Sequence, residues 1–114
     1  KRLPRLIGIS KSKYWIYTGH QFSAEEALAD GVADFIVDDG ILLESAIELA
    51  DEVLSSGPLA LKAAKAAIDR GIEETLDSGL EMELAEFGKL TSSKDWIEGR
   101  QAFFDKRQPK WEGK

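Results

Sequence analysis

Ser23-Ala24-Glu25-Glu26-Ala27-Leu28-Ala29-Asp30-Gly31-Val32-Ala33-Asp34-Phe35-Ile36-Val37-Asp38-Asp39-Gly40 decides the fold. Ser23 followed three residues later by Glu26 is a capping box. The hydroxyl can accept from the third helical amide while Glu26 reaches back to the Ser23 amide. The helix so started ends at Gly31, because glycine takes the left-handed terminating conformation at little cost. Val32 to Val37 is β-branched and aromatic, and Asp38-Asp39-Gly40 closes it as a turn, so 32–37 reads as the one convincing strand. A lone strand cannot satisfy its own backbone donors and acceptors. It must pair with something that the remaining sequence does not obviously supply.

Working outward, the rest is helical. Toward the N-terminus, 1–8 reads as a short helix or turn ending at Gly8. Residues 10–18 follow as a helix with Ser10 as N-cap and Gly19 as its stop. Toward the C-terminus come four longer patterns. In 41–55, Leu42, Ala46, Leu49, Ala50 and Val53 recur at helical spacing. Gly57-Pro58 ends that helix and opens the next, proline being tolerated in a first turn. In 59–70, Leu61, Ala64 and Ile68 form a stripe among alanines whose small size admits a close neighbour. Leu76, Leu80, Leu84 and Phe87 mark 76–90. Ser92-Ser93-Lys94-Asp95 reads as a second capping box, starting a helix to about Lys106, and Gln108-Pro109 follows as a stop. The sum is predominantly α with one or two short strands, and there is no internal repeat.

Composition narrows the function classes. The 114 residues are 43% hydrophobic and 32% charged, as in an ordinary globular protein, with a net charge of −6. That charge argues against a general attraction to nucleic acid, although the tail is locally basic. With no cysteine there is neither a disulfide nor a thiolate metal site. No apolar run approaches the roughly 18–20 residues that span a bilayer. The chain opens on Lys1-Arg2 without a Met, which reads as a fragment or a cleaved product.

Few residue groups carry chemistry. His20, the one histidine, sits in a connector far from anything resembling a nucleophile elbow. Asp38-Asp39 lacks calcium-loop spacing, and no phosphate-binding glycine loop is present. Glu25-Glu26 and Glu73-Glu74 are sequence neighbours, which a helix points about 100° apart, a poor acid–base geometry. Glu81, Glu83 and Glu86 read as a solvated face. The segment 99–111 is richer: Phe103 and Lys106, at i and i+3, share one helix face. A ring beside an ammonium suits a ligand with a flat ring and a phosphate. The same residues also suit a plain terminal helix whose basic last turn is favoured by the dipole.

Several phrases, in order, resemble the enoyl-CoA hydratase/isomerase (crotonase) superfamily. They are Arg2-Leu3-Pro4-Arg5-Leu6-Ile7-Gly8, then Ile16-Tyr17-Thr18-Gly19 with Phe22 to Ala33, then Gly57-Pro58-Leu59-Ala60 through Lys65, and finally Glu98-Gly99 through Pro109. The resemblance covers essentially the whole chain. It implies the C-terminal half of a crotonase-like (ββα superhelix) α/β fold. Residues 1–40 would close the core, and 41–114 would form a helical region for trimerisation and CoA contact.

The implied parent is an enoyl-CoA hydratase, adding water across the 2,3 double bond of enoyl-CoA thioesters in fatty-acid or branched-chain amino-acid breakdown, including β-oxidation. An isomerase, thioesterase or decarboxylase of the family is the alternative; a non-catalytic oligomerisation module is another for the chain taken alone. No prosthetic group is implied, and acyl-CoA is the substrate. The implied partners are copies in a homotrimer or homohexamer and the preceding part of the fold, in cytoplasm or mitochondrial matrix. The family's two glutamates and two oxyanion amides precede the phrase at Arg2. No catalytic residue is therefore carried over, and the chain alone is expected to be inactive. Phe103 and Lys106 match the family's CoA-contacting Phe and Lys. Tyr14-Trp15, His20 and Trp96 depart from the family's usual residues.

Overall fold

The computed structural model describes residues 2–114. Seven helices follow in order: α1 Arg2–Ile7, α2 Ile9–Thr18, α3 Ala24–Asp30, α4 Leu42–Leu54, α5 Pro58–Gly71, α6 Leu76–Leu90 and α7 Lys94–Asp105. The chain forms two compact units, residues 1–46 and 47–114.

In the first unit α1 packs on α2. The capping box forms as read: the Ser23 side chain accepts from the Glu26 amide at 3.1 Å, and the Glu26 carboxylate accepts from the Ser23 amide at 2.8 Å. Gly31 ends α3 at φ 78°, its amide and that of Val32 donating back to Leu28 and Ala27. Asp30, the last residue of α3, ties the helix to α2. It accepts from the Lys11 ammonium and, at 2.7 Å, from the Trp15 indole N–H. The Lys11 bond, then the Trp15 bond, holds its carboxyl below the usual range. The Trp15 ring lies flat on Phe22, centroids 3.8 Å apart. His20, exposed, meets Phe22 edge-on at 5.0 Å.

Two readings are corrected here. Residues 32–37 do not form a strand: no ladder is present among the described residues, and Phe35 is 71% exposed. The segment has strand composition but no second strand to pair with, so its backbone stays irregular. Ser10 does not cap α2 either; Gly8 holds that position, without a side-chain bond, and Ser10 lies inside the helix.

In the second unit, α5 and α6 form the main helix pair. They meet where Gly71 ends α5 and Gly79 lies in the first turns of α6. A Cβ on Gly79 would sit 3.3 Å from the Gly71 carbonyl oxygen. Along α5, Ala63 is buried and Ala64 and Ala67 line an open groove opposite Leu80 and Leu84. Thr75 caps α6, accepting from the Ser78 amide. The start of α7 is a third correction. Ser93, not Ser92, is the N-cap, its side chain accepting from the Trp96 amide at 3.1 Å. The residue three after Ser93 is Trp96, which has no carboxylate to reach back with, so no box forms. Among the described residues no helix is long and apolar enough to cross a membrane.

Candidate functional site

The residues singled out from the sequence lie at the end of α7 and in the tail beyond it. The helix stops one residue before Lys106. Lys106 has φ 52°, the one positive value outside glycine among the described residues. Its amide donates to Phe103 O at 3.3 Å and the Arg107 amide to Ala102 O at 3.1 Å. Those two bonds are the 5→2 and 6→1 pair of a Schellman terminus. The expectation that Phe103 and Lys106 share a helical face is therefore corrected: the left-handed turn, not an i, i+3 register, sets their relation. A side chain in this conformation crowds its own backbone, which is why glycine is usual there.

Past the turn, the tail runs back along α7 and is fastened at two carboxylates. Glu98 accepts from both terminal nitrogens of Arg107, at 2.7 and 3.0 Å, and from the Lys110 amide at 2.7 Å. The Arg107 bonds first, and the Lys110 amide second, lower its pKa to about 2. Arg107 also donates to Asp105 at 3.2 Å and is held protonated by Glu98. One turn earlier, the buried Asp95 accepts from the amides of Glu112 and Gly113, at 2.8 and 3.0 Å. Between these points Trp111 lies over the α7 backbone. Its indole N–H donates to Ser55 O at 2.9 Å. A Cβ on Gly99 would come within 3.1 Å of its ring, and one on Gly57 within 3.4 Å.

Trp111 is also one wall of a groove of about 630 Å³, lined mostly by apolar atoms of Phe87, Trp96, Phe103, Phe104 and Leu59, with Arg100 as its one cation. Phe103 is 80% exposed and meets Phe104 edge-on at 5.9 Å. The structure thus brings Phe103 to this groove. Lys106 is exposed and is not among the lining residues. Among the described residues no three His, Cys, Asp or Glu side chains converge as metal ligands.

A sequence model of the family described as enoyl-CoA hydratase/isomerase matches residues 1–114. The chain belongs to the enoyl-CoA hydratase/isomerase family. Among its relatives, the probable mitochondrial enoyl-CoA hydratase 2 of Arabidopsis thaliana is 45% identical over 99% of this chain and 38% of its own length. The short-chain-enoyl-CoA hydratase of Clostridium acetobutylicum is 35% identical over 95% of this chain and 41% of its own. The crystal structure of an enoyl-CoA hydratase from Bacillus anthracis matches with a TM-score of 0.96 at 45% identity, covering all of this chain and 44% of that one. The chain therefore spans about two fifths of the length of these relatives. Its helices are a helical piece of the enoyl-CoA hydratase fold, as the resemblance implied.

Within this family member, the tail fastening has no signature in the sequence. Glu98 and Arg107 are nine positions apart, and only the reversal at Lys106 brings them together. Pro109, which forbids further helix, is the one local sign that the chain turns.

Proposed function

We propose that this chain is the C-terminal part of an enoyl-CoA hydratase, contributing subunit contacts and the adenine-end contacts for an acyl-CoA thioester. The reaction is addition of water across the 2,3 double bond, with the thioester enolate held by oxyanion-hole donors and protons moved by carboxylates. All of those groups belong to the preceding part of the protein, and none of this chain's residues is assigned to them. The exposed Phe103 offers a ring face to the adenine. Lys106, three residues on, offers a cation for the 3′-phosphate. Copies assemble as a homotrimer or homohexamer through the helical region 41–114, with residues 1–40 completing the core. The compartment is cytoplasm or mitochondrial matrix, in line with a mitochondrial name on one relative and a bacterial source for another.

The observation that carries this reading is the exposure of both Phe103 and Lys106 on a chain whose whole length matches the family. A screened ammonium–phosphate contact is worth on the order of 1 kcal/mol. Lys106→Ala in the hydratase that contains this chain should raise KM for crotonyl-CoA, roughly five-fold, and leave kcat nearly unchanged. The contact is remote from the reacting carbons and is felt alike in ground and transition states. The loss should vanish with 3′-dephospho-crotonyl-CoA. Equal loss with both substrates would mean that Lys106 acts on folding or assembly. Because the family includes isomerases, the alternative reaction is double-bond migration, and product analysis separates it from hydration.

A further inference from the structure

Lys106 is the one described residue other than glycine that holds a left-handed backbone. The conformation is unfavourable for a lysine, so it persists only where its surroundings impose it. Two kinds of contact impose it here. The Schellman bonds fix the turn from the helix side. From the other side, the residue immediately after Lys106 is clamped: both terminal nitrogens of Arg107 bind Glu98, which lies two turns back on α7. The neighbour before it is held as well, since Asp105 accepts from Gln101 at 2.9 Å and from Arg107 at 3.2 Å. A planar fork on a carboxylate fixes orientation as well as distance, which an ammonium cannot do. The third bond to Glu98, from the Lys110 amide, keeps the tail from swinging away. Glu98 is partly sheltered, its side chain 23% exposed, whereas Lys106 is open to solvent.

We propose that Glu98 and Arg107 are positioning residues for Lys106: their fork holds the left-handed turn from which the ammonium meets the 3′-phosphate of the acyl-CoA. They touch neither the nucleotide nor the reacting atoms. This rests on the reading of Lys106 above. With the fork cut, the backbone at 106 relaxes toward ordinary conformations and the ammonium samples many positions. Affinity for the 3′-phosphate then falls although Lys106 is still present.

The test compares KM for crotonyl-CoA with KM for its 3′-dephospho form in the hydratase that contains this chain. Four variants are used: Lys106→Ala, Glu98→Gln, Arg107→Lys and the double Lys106→Ala/Glu98→Gln. The ratio of the two KM values is measured on one preparation, so a fraction that fails to fold cancels out. Glu98→Gln should shift that ratio in the same direction as Lys106→Ala, by up to the same roughly five-fold. Arg107→Lys should behave like Glu98→Gln, because charge without the fork does not hold the turn. The double variant should be no worse in this ratio than Lys106→Ala, since the fork acts only through Lys106. If Lys106→Ala shifts the ratio and Glu98→Gln does not, the positioning role is overturned and the reading of Lys106 stands. If Lys106→Ala leaves the ratio unmoved, that reading fails and the positioning role with it. A Glu98→Gln variant that raises both KM values equally has a structural role only, which also overturns the proposal.

Discussion

Glu98 takes the Arg107 fork and the Lys110 amide on one carboxylate, and both stabilise its charged form. Its pKa falls from 4.5 to about 2. A folded value below the unfolded one means that the contribution to stability is fully present above about 4.5 and is lost as pH falls toward 2. The clasp should therefore survive moderate acid and open only near its lower limit. Following the Glu98 side-chain carboxyl carbon by NMR across that range should give a midpoint near 2. A midpoint near 4.5 would show that the fork is not closed in solution. Of this clasp, only the stop at Pro109 is legible in the sequence. The Ser23–Glu26 box is, because capping is a contact over three residues and the sequence displays both partners together. Glu98 and Arg107 become neighbours only through a reversal at a lysine. Reversals are read from glycine, as at Gly31, and a lysine in the same conformation gives no such sign.

At the scale of elements, α5 and α6 pair through backbone proximity. Gly71 and Gly79 allow it, the Gly79 Cα side facing the Gly71 carbonyl with no room to spare. Gly88, later in α6, is open: a methyl added there would meet nothing within 4 Å. Two substitutions of the same kind should then have opposite signs. Gly88→Ala should stabilise the chain by about 1 kcal/mol, the ordinary gain in helix propensity. Gly79→Ala carries the same gain, but its methyl must push the carbonyl of Gly71 away. Overpacking against backbone costs about 1–3 kcal/mol, so the net effect should be a loss. Urea unfolding followed by helical circular dichroism compares them directly. Equal stabilisation by both would mean that the two helices do not approach closely at the glycines. Helix positions are readable because each carries its own apolar period; the caps are less so, since Gly8 and Ser93, not Ser10 and Ser92, start α2 and α7. The segment 32–37 reads as a strand and is not one, because β composition describes a segment that fits a sheet, and the partner is a property of other residues.

On the scale of the whole molecule, apolar residues are plentiful but few are covered. The buried apolar residues among those described are Ala63 and Ala102, both small. On α6 the stripe found from the sequence stays largely open: Leu76 is 77% exposed, Leu84 71% and Phe87 49%. On α4, Leu42 and Leu43 are 71% and 73% exposed. Helices of this length gain most of their stability from covering such a face, since short helices are marginal in water. Contiguous apolar patches also drive association. The 114-residue chain on its own should therefore self-associate at micromolar concentration. Light scattering should give a mass several times 12.6 kDa that falls on dilution. Because Leu84 lines the open groove against the α5 alanines and projects from the stripe, Leu84→Glu should lower that mass by placing a charge where a partner would bury it. A monodisperse monomer at the same concentration would show that these faces are tolerated in water. An unchanged mass for Leu84→Glu beside an associating parent would move the contact to another face, with the exposed leucines of α4 as the next surface to charge.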